Sequence, residues 1–241
     1  MQRLDKAVSD GFLLSRLDAK KAIRAGRVTL DGEVQRDSGA KCPLEGADLR
    51  LDGQTPPFGR HIYIMMNKPA GLVSATRDKR EQTVISLLPE SFVRAGLAPA
   101  GRLDKDSEGL LILTNDGELN HRITSPKYHA KKVYKVMLDR PAEPEDVKKF
   151  SQGMDLGDFF SAPAQLFIEP GDSCLCSVTL GEGKFHQVKR MFEKCGKSVT
   201  YLKRVEMAGI RLDSVLESGQ WRLFEPAEIV GLKAMLGILT K

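Results

Sequence analysis

Cysteine and histidine are scarce in this chain, with four of each in 241 residues. No C-x-x-C pair occurs, and no histidine stands in ligand spacing with a cysteine, which argues against a structural zinc site. Cys42, Cys174, Cys176 and Cys195 are expected as reduced thiols. No apolar run approaches the length of a membrane span, and "MQRLDKAVSD" lacks the apolar core of a signal peptide. A soluble, cytoplasmic protein with no membrane partner is the expectation. The G-x-x-x-x-G-K-[ST] pattern of a phosphate loop is absent too. Acidic residues are missing from two blocks of a chain whose net charge is +5. His121–Arg140 holds six Lys/Arg against Asp139 alone, and Gly183–Arg204 holds seven against Glu193 alone. Such one-sided blocks repel themselves unless they are solvated or face a polyanion, and phosphates are the usual polyanion.

What is present divides the chain. "LDGQTPPFGR" (Leu51–Arg60) has two prolines, two glycines and little to bury, so it reads as a linker. The expected organisation is a small domain at 1–52, a linker at 53–60 and a larger domain at 61–241. In the first, Arg3–Ser9 reads as a short helix. Ser15 is a good N-cap for "RLDAKKAIRA", Gly26 suits its left-handed stop, and "RVTLDGEVQR" reads as a hairpin on an Asp-Gly turn. The second helix places Arg16, Lys20, Lys21 and Arg24 in one short segment, a phosphate-contacting face or an ordinary amphipathic surface. In the larger part, "HIYIMMNKP", "GLLILTN", "KVYKVML", "AQLFIE" and "CLCSVTL" read as strands, and Glu143–Phe150, Phe185–Cys195 and Pro226–Leu239 as helices. Strands outnumber helices without regular alternation, so the fold class is α+β, with a largely antiparallel or mixed sheet flanked by helices.

The stretch "GRLDKDSEGLLILTNDG" (Gly101–Gly117) carries four acidic side chains in a basic protein. Asp104, Asp106, Glu108 and Gly109 fall at positions 1, 3, 5 and 6 of a calcium loop, but Asn115 stands where the closing glutamate belongs, and a strand follows instead of a helix. No metal is therefore expected. Arg102 and Asp104 are two apart and share a side of extended backbone, while Leu103 between them turns inward as an anchor. That arrangement could hold one carboxylate rigidly at a sheet edge, although a solvated loop is the stronger reading on spacing alone. Of the other acids, Asp106 and Glu108 read as solvated and Asp116 as part of a turn.

This stretch closely resembles the catalytic-aspartate motif of the pseudouridine synthases, in the branch that modifies ribosomal RNA. "MMNKPAGLVSA" resembles the strand and turn that open that catalytic domain, "HRITSPKYHAKKVYKVML" the segment with the family tyrosine, and "EGKFHQVKRMFEKCG" the basic motif. "RLDKAVSDGFLLSRLDAKKAIRAGRVTLDGEV" is similar to an S4 RNA-binding domain. The forms "RITSP" and "KFHQVKRMF" look more like the small-subunit branch, the RsuA family acting on 16S rRNA, than like the large-subunit branches. The resemblance implies an isomerase that needs no cofactor, with 16S ribosomal RNA, within a small-subunit assembly intermediate, as partner of a monomer. It implies that Asp104 is the catalytic carboxylate and that Tyr134 stacks on the target base. Lys189 falls at the basic position expected to pair with the aspartate and depress its pKa. Lysine there in place of arginine is a departure, since it offers a point charge without the bidentate fork. Arg102 matches an arginine associated with substrate binding and flipping, and Arg190 is the neighbouring candidate for the pairing role. A large-subunit synthase of the same fold and a non-catalytic rRNA-binding assembly factor are the alternatives. From pattern alone, Tyr134 is first a core residue, because it shares a strand face with Val136 and Leu138.

Overall fold

The computed structural model describes residues 1–43, 46–57 and 61–238. They form two compact units, Met1–Ile62 with Leu88–Leu97, and Tyr63–Leu87 with Ala98–Lys241. Residues 88–97, which lie inside the expected second domain in sequence, group with the first unit. Residues 58–60 of the expected linker lie outside the described residues, as does Leu239, the expected end of the last helix.

The first unit runs β1 (Gln2–Arg3), α1 (Leu4–Phe12), α2 (Arg16–Arg24), β2 (Val28–Leu30), β3 (Glu33–Gln35), β4 (Lys41–Cys42) and β5 (Leu49–Leu51), with α3 (Glu90–Arg94) grouped alongside. Its core forms because both long helices are amphipathic: Leu4, Ala7 and Val8 of α1 meet Ala19, Ala22 and Ile23 of α2 over Val28. The Ser15 hydroxyl accepts the Asp18 N–H at 3.0 Å, capping α2 as its sequence promised. The β2–β3 turn passes through Asp31 and Gly32, at φ +53° and +85°. Such a turn matches the twist of the strands it joins, and Asp-Gly tolerates it.

The second unit contains β6 (Tyr63–Lys68), β7 (Ala98–Pro99), β8 (Glu108–Thr114), α4 (Gly117–Thr124), β9 (Lys132–Leu138), α5 (Pro144–Gln152), β10 (Gln165–Ile168), β11 (Leu175–Leu180), α6 (Gln187–Lys194), β12 (Val199–Met207), β13 (Ile210–Arg211), β14 (Trp221–Leu223) and α7 (Pro226–Met235). One sheet runs β10-β11-β9-β12-β8-β6-β14, with β13 on β12 and β7 on β8. Every pairing is antiparallel except β12 with β8, which is parallel. Helices pack on two of the unit's apolar clusters. Tyr134, Val136 and Leu138 of β9 pack with Phe150 of α5 and Val188, Met191 and Phe192 of α6. Leu110 and Ile112 of β8 pack with Leu119 and Ile123 of α4 and Leu232 of α7. β8 is buried on both faces, which is why its sequence is a continuous apolar run.

Several elements depart from the expectation, among them β7, β13 and β14, which lie in segments not expected as strands. Asp116–Gly117, expected as a turn, begins a helix. Asp116 caps α4, accepting the N–H groups of Glu118 and Leu119 at 3.1 Å and the Tyr63 hydroxyl at 2.7 Å. The same Asp-Gly pair serves a turn or a helix start, and here the apolar Leu119 and Ile123 decided for a helix. β12 carries no clear strand signal, because "YLKRVEM" interrupts its apolar alternation with charge, yet it lies at the sheet centre between β9 and β8. The helix expected from Phe185 starts at Gln187, because His186 takes a left-handed φ of +50°.

Candidate active site

Leu103 behaves as the alternation demands, buried in the β9 core while Arg102 on one side is exposed and Asp104 on the other is partly so. Its backbone is clamped from both ends by one side chain. The Ser74 hydroxyl accepts the Leu103 N–H at 3.0 Å and donates to the Leu103 carbonyl at 2.9 Å. Past Asp104 the loop folds over Lys68, a fully buried side chain at the end of β6. Its ammonium donates to the carbonyls of Pro69, Asp104 and Ser107 at 2.9, 3.1 and 2.8 Å. Burial lowers its pKa to about 8, against the pull of the carboxylates Asp106, Asp104 and Glu108. A buried charge is tolerable only when its donors are used, and the carbonyls of this loop use them. Asp104 is therefore mounted by backbone contacts that involve neither its own side chain nor any substrate.

The loop forms one wall of a cleft of about 630 Å³ whose lining includes Arg102, Asp104, Tyr134, Lys132, Arg204 and His186. That size falls within the usual range for small-molecule sites. A smaller chamber of about 50 Å³ continues beside Asp104, Tyr134 and Ser107. Arg204 is 1% exposed, with Nε donating to the Leu110 carbonyl at 2.8 Å and Nη1 to the Arg102 carbonyl at 3.4 Å. It thereby ties the two ends of the Asp104 loop to β12. Lys132 is buried as well, and burial, then the Arg204 charge, lowers its pKa to about 8.

Around Asp104 stand two nitrogen bases, Lys189 Nζ at 3.5 Å from Oδ2 and His186 Nε2 at 3.6 Å from Oδ1. Lys189 is more tightly engaged by Asp106, at 2.6 and 2.8 Å, and this hydrogen bond foremost holds the Asp106 carboxyl below its usual range. Asp106, read as solvated, is thus exposed but paired, and Lys189 bridges two carboxylates. Among the described residues no cluster of three or more His, Cys, Asp or Glu side chains has the arrangement of a metal site. The family profile described as RNA pseudouridylate synthase matches residues 62–194, which supply the cleft lining except Arg204, and the S4 domain profile matches residues 2–47.

The chain belongs to the RNA pseudouridylate synthase family. It is accordingly an isomerase acting on RNA. The protein named ribosomal small subunit pseudouridine synthase A in Vibrio parahaemolyticus is 41% identical over 229 residues, 94% of this chain and 97% of that one. Its namesake in Escherichia coli (strain K12) is 38% identical over 232 residues, 95% and 99% of the two chains. A crystal structure described as a pseudouridylate synthase aligns with a TM-score of 0.66 at 35% identity, covering 96% of this chain and all of that one.

In this synthase the residues singled out from sequence separate into groups. Asp104, Tyr134 and Arg102 line the cleft together. Tyr134 is 7% exposed, so it is at once a core residue and part of the cleft wall. Lys189 reaches Asp104 from α6. Arg190 does not turn to it. Its guanidinium pairs with Asp158 and lies 5.0 Å from the Phe159 ring centroid. The pairing role considered for Arg190 is therefore taken by its neighbour, because successive helix residues point about 100° apart. In the first unit, Arg16 and Lys20 reach the buried carboxylate of Asp5 at 2.7 and 3.8 Å, and Lys21 reaches Asp18 at 3.7 Å. Arg24 is exposed. The basic face of α2 is thus partly neutralised from within. Lys68, Arg204 and His186 were not marked by the sequence pattern as site residues. Lys68 had a signal, a lone lysine ending an apolar strand just before proline. Arg204 and His186 had none beyond their place in a basic block.

Proposed function

We propose that this synthase isomerises a uridine of small-subunit (16S) ribosomal RNA to pseudouridine, with Asp104 as the catalytic carboxylate, in the cytoplasm during ribosome assembly. The observation that carries this reading is the rigid mounting of Asp104 in a cleft shared with Tyr134 and Arg102. The reaction breaks the N1–C1′ bond, turns the uracil and joins C5 to C1′, after which the C5 proton leaves and N1 regains one. Nothing is oxidised and no group is imported, so one carboxylate is the minimum equipment. Asp104 serves either as nucleophile at C1′ or as base toward the sugar, both roles of a carboxylate, and Lys189 Nζ stands 3.5 Å from its Oδ2. A base deep in RNA must leave its stack to enter the cleft, and Tyr134 offers it an aromatic wall. The cleft's basic side chains suit the backbone, and α2 of the S4 unit, through Arg16, Lys20, Lys21 and Arg24, adds phosphate contacts. Similarity along nearly the whole chain to proteins named for the small ribosomal subunit supports the choice of 16S over large-subunit RNA. Asp104→Asn should abolish pseudouridine formation on 16S rRNA while leaving RNA affinity within about threefold, because the amide keeps the shape and loses the charge. Full activity in that variant would sink the assignment. Mapping the modified nucleotide by carbodiimide labelling tests the substrate, and a product found only in 23S rRNA would overturn it.

A further inference from the structure

The left-handed backbone at His186 is strained for a non-glycine residue, and strain of this kind persists only where neighbours over-determine it. Gln187, buried to 3% exposure, provides that constraint. Its Oε1 accepts the Lys184 N–H at 3.0 Å, its Nε2 donates to Glu182 at 2.6 Å, and its backbone N–H donates to the Lys184 carbonyl at 3.2 Å. The turn so fixed displays two rings. Phe185 stacks on His186, with centroids 3.8 Å apart and planes 18° from parallel. His186, the inner ring, lies against Asp104, whereas Phe185 is 69% exposed, and both line the cleft. The pair thus extends an aromatic column from the reacting carboxylate toward solvent. Lys184 beside it lies 3.9 Å from the Phe159 ring centroid, and Lys132 and Arg204 stand in the cleft wall. Exposed rings set among cations are the means by which proteins hold unpaired RNA bases.

We propose that the Phe185–His186 ring pair is a stacking platform for the nucleobase next to the target uridine in the RNA chain. Extruding a base leaves its neighbour without a stacking partner, and a pre-stacked ring at the mouth of the cleft replaces that partner. The platform rests on the reading of the cleft as the site of uridine isomerisation. It sets sequence context at the position beside the target, while Asp104 and Tyr134 deal with the target itself.

The test measures release of the C5 proton as tritium from 5-tritiated-uridine RNA. The probes are transcribed 16S rRNA and a synthetic fragment around the modified uridine, the latter also made abasic on its 5′ or 3′ side. On intact RNA, Phe185→Ala should raise KM about 10- to 100-fold with kcat within about twofold, the loss of one base-stacking contact. Phe185→Tyr, which keeps the ring, should restore the wild-type KM. On the fragment abasic at the stacking position, wild type and Phe185→Ala should have equal KM. An unchanged KM for Phe185→Ala on intact RNA, or an equal loss on both abasic fragments, overturns the platform while leaving the isomerase reading intact. Absence of product with the wild type, both on bare 16S rRNA and on 16S rRNA bound by small-subunit proteins, overturns that reading and the platform with it.

Discussion

Gly109→Ala tests how closely β8 and β12 are pressed together beside the Asp104 loop. Gly109 is paired with Arg204 across the sheet's single parallel contact and has φ +103°. A Cβ built there would lie 2.2 Å from the Arg204 carbonyl oxygen, 2.8 Å from its backbone nitrogen and 2.9 Å from Lys203 Cγ. Two of the three obstacles are backbone, which no side-chain rotation relieves. Overpacking costs about 1–3 kcal/mol, and a side chain at positive φ adds about 1–3 kcal/mol. The expected destabilisation is therefore about 4 kcal/mol, a large part of the 5–15 kcal/mol typical of a domain. At an m-value of about 4 kcal/mol/M, guanidinium unfolding should show the midpoint lowered by about 1 M. Relief requires the strands to part by about 1 Å, and the Arg204 guanidinium moves with its backbone, loosening its hold on the Arg102 and Leu110 carbonyls. With Asp104 as the proposed catalytic carboxylate, a displacement of that size in its loop costs about 100-fold in rate, so kcat of the folded variant should fall by about that factor. A stability change under about 1 kcal/mol with kcat preserved would refute the reasoning, because the two strands would then have room for a methyl group.

Lys68→Met should cost about 1–3 kcal/mol by leaving buried carbonyls of the Asp104 loop without donors, and should lower kcat more than KM, since Lys68 positions Asp104 from behind. Equal kcat in wild type and variant would show that the Ser74 clamp suffices alone. Asp146 and Lys197 form a buried pair at 2.8 Å, and Asp146→Asn should destabilise by about 3–5 kcal/mol at neutral pH by leaving the lysine uncompensated. Burial alone would raise the Asp146 carboxyl, but Lys197 and the Glu143 N–H outweigh it and hold it below its usual value. The folded-state pKa being depressed, the stabilisation is present above the unfolded value of about 3.9 and is lost as pH falls through the folded one. Melting temperatures of wild type and Asp146→Asn should differ most at neutral pH and converge below about pH 4. An undiminished gap in acid would count against the pair.

Much of the local structure was legible. Ser15 capped its helix, the Asp31–Gly32 turn made its hairpin, and the alternation at Arg102, Leu103 and Asp104 appears in the folded loop. What escaped depended on distant partners. β12 was hidden because Arg204 reads as a surface charge until the Leu110 and Arg102 carbonyls are brought to it. Lys68 was hidden in the same way. Asp116 looks like a turn residue in sequence, yet Tyr63, 53 residues earlier, donates to it at the start of a helix.

Periodicity and capping chemistry in the chain itself therefore determined the α+β class, most elements and the inward anchor at Leu103. Those signals act over a few residues, and their strength does not depend on what lies across the sheet. The company that Asp104 keeps was decided only by tertiary structure. Which of Lys189 and Arg190 approaches it, that Asp106 shares its lysine, and that His186 and Phe185 stand beside it follow from where α6 begins and how β12 seats beside β8. Electrostatic pairing depends on distance in space and on burial, and neither is written in sequence spacing.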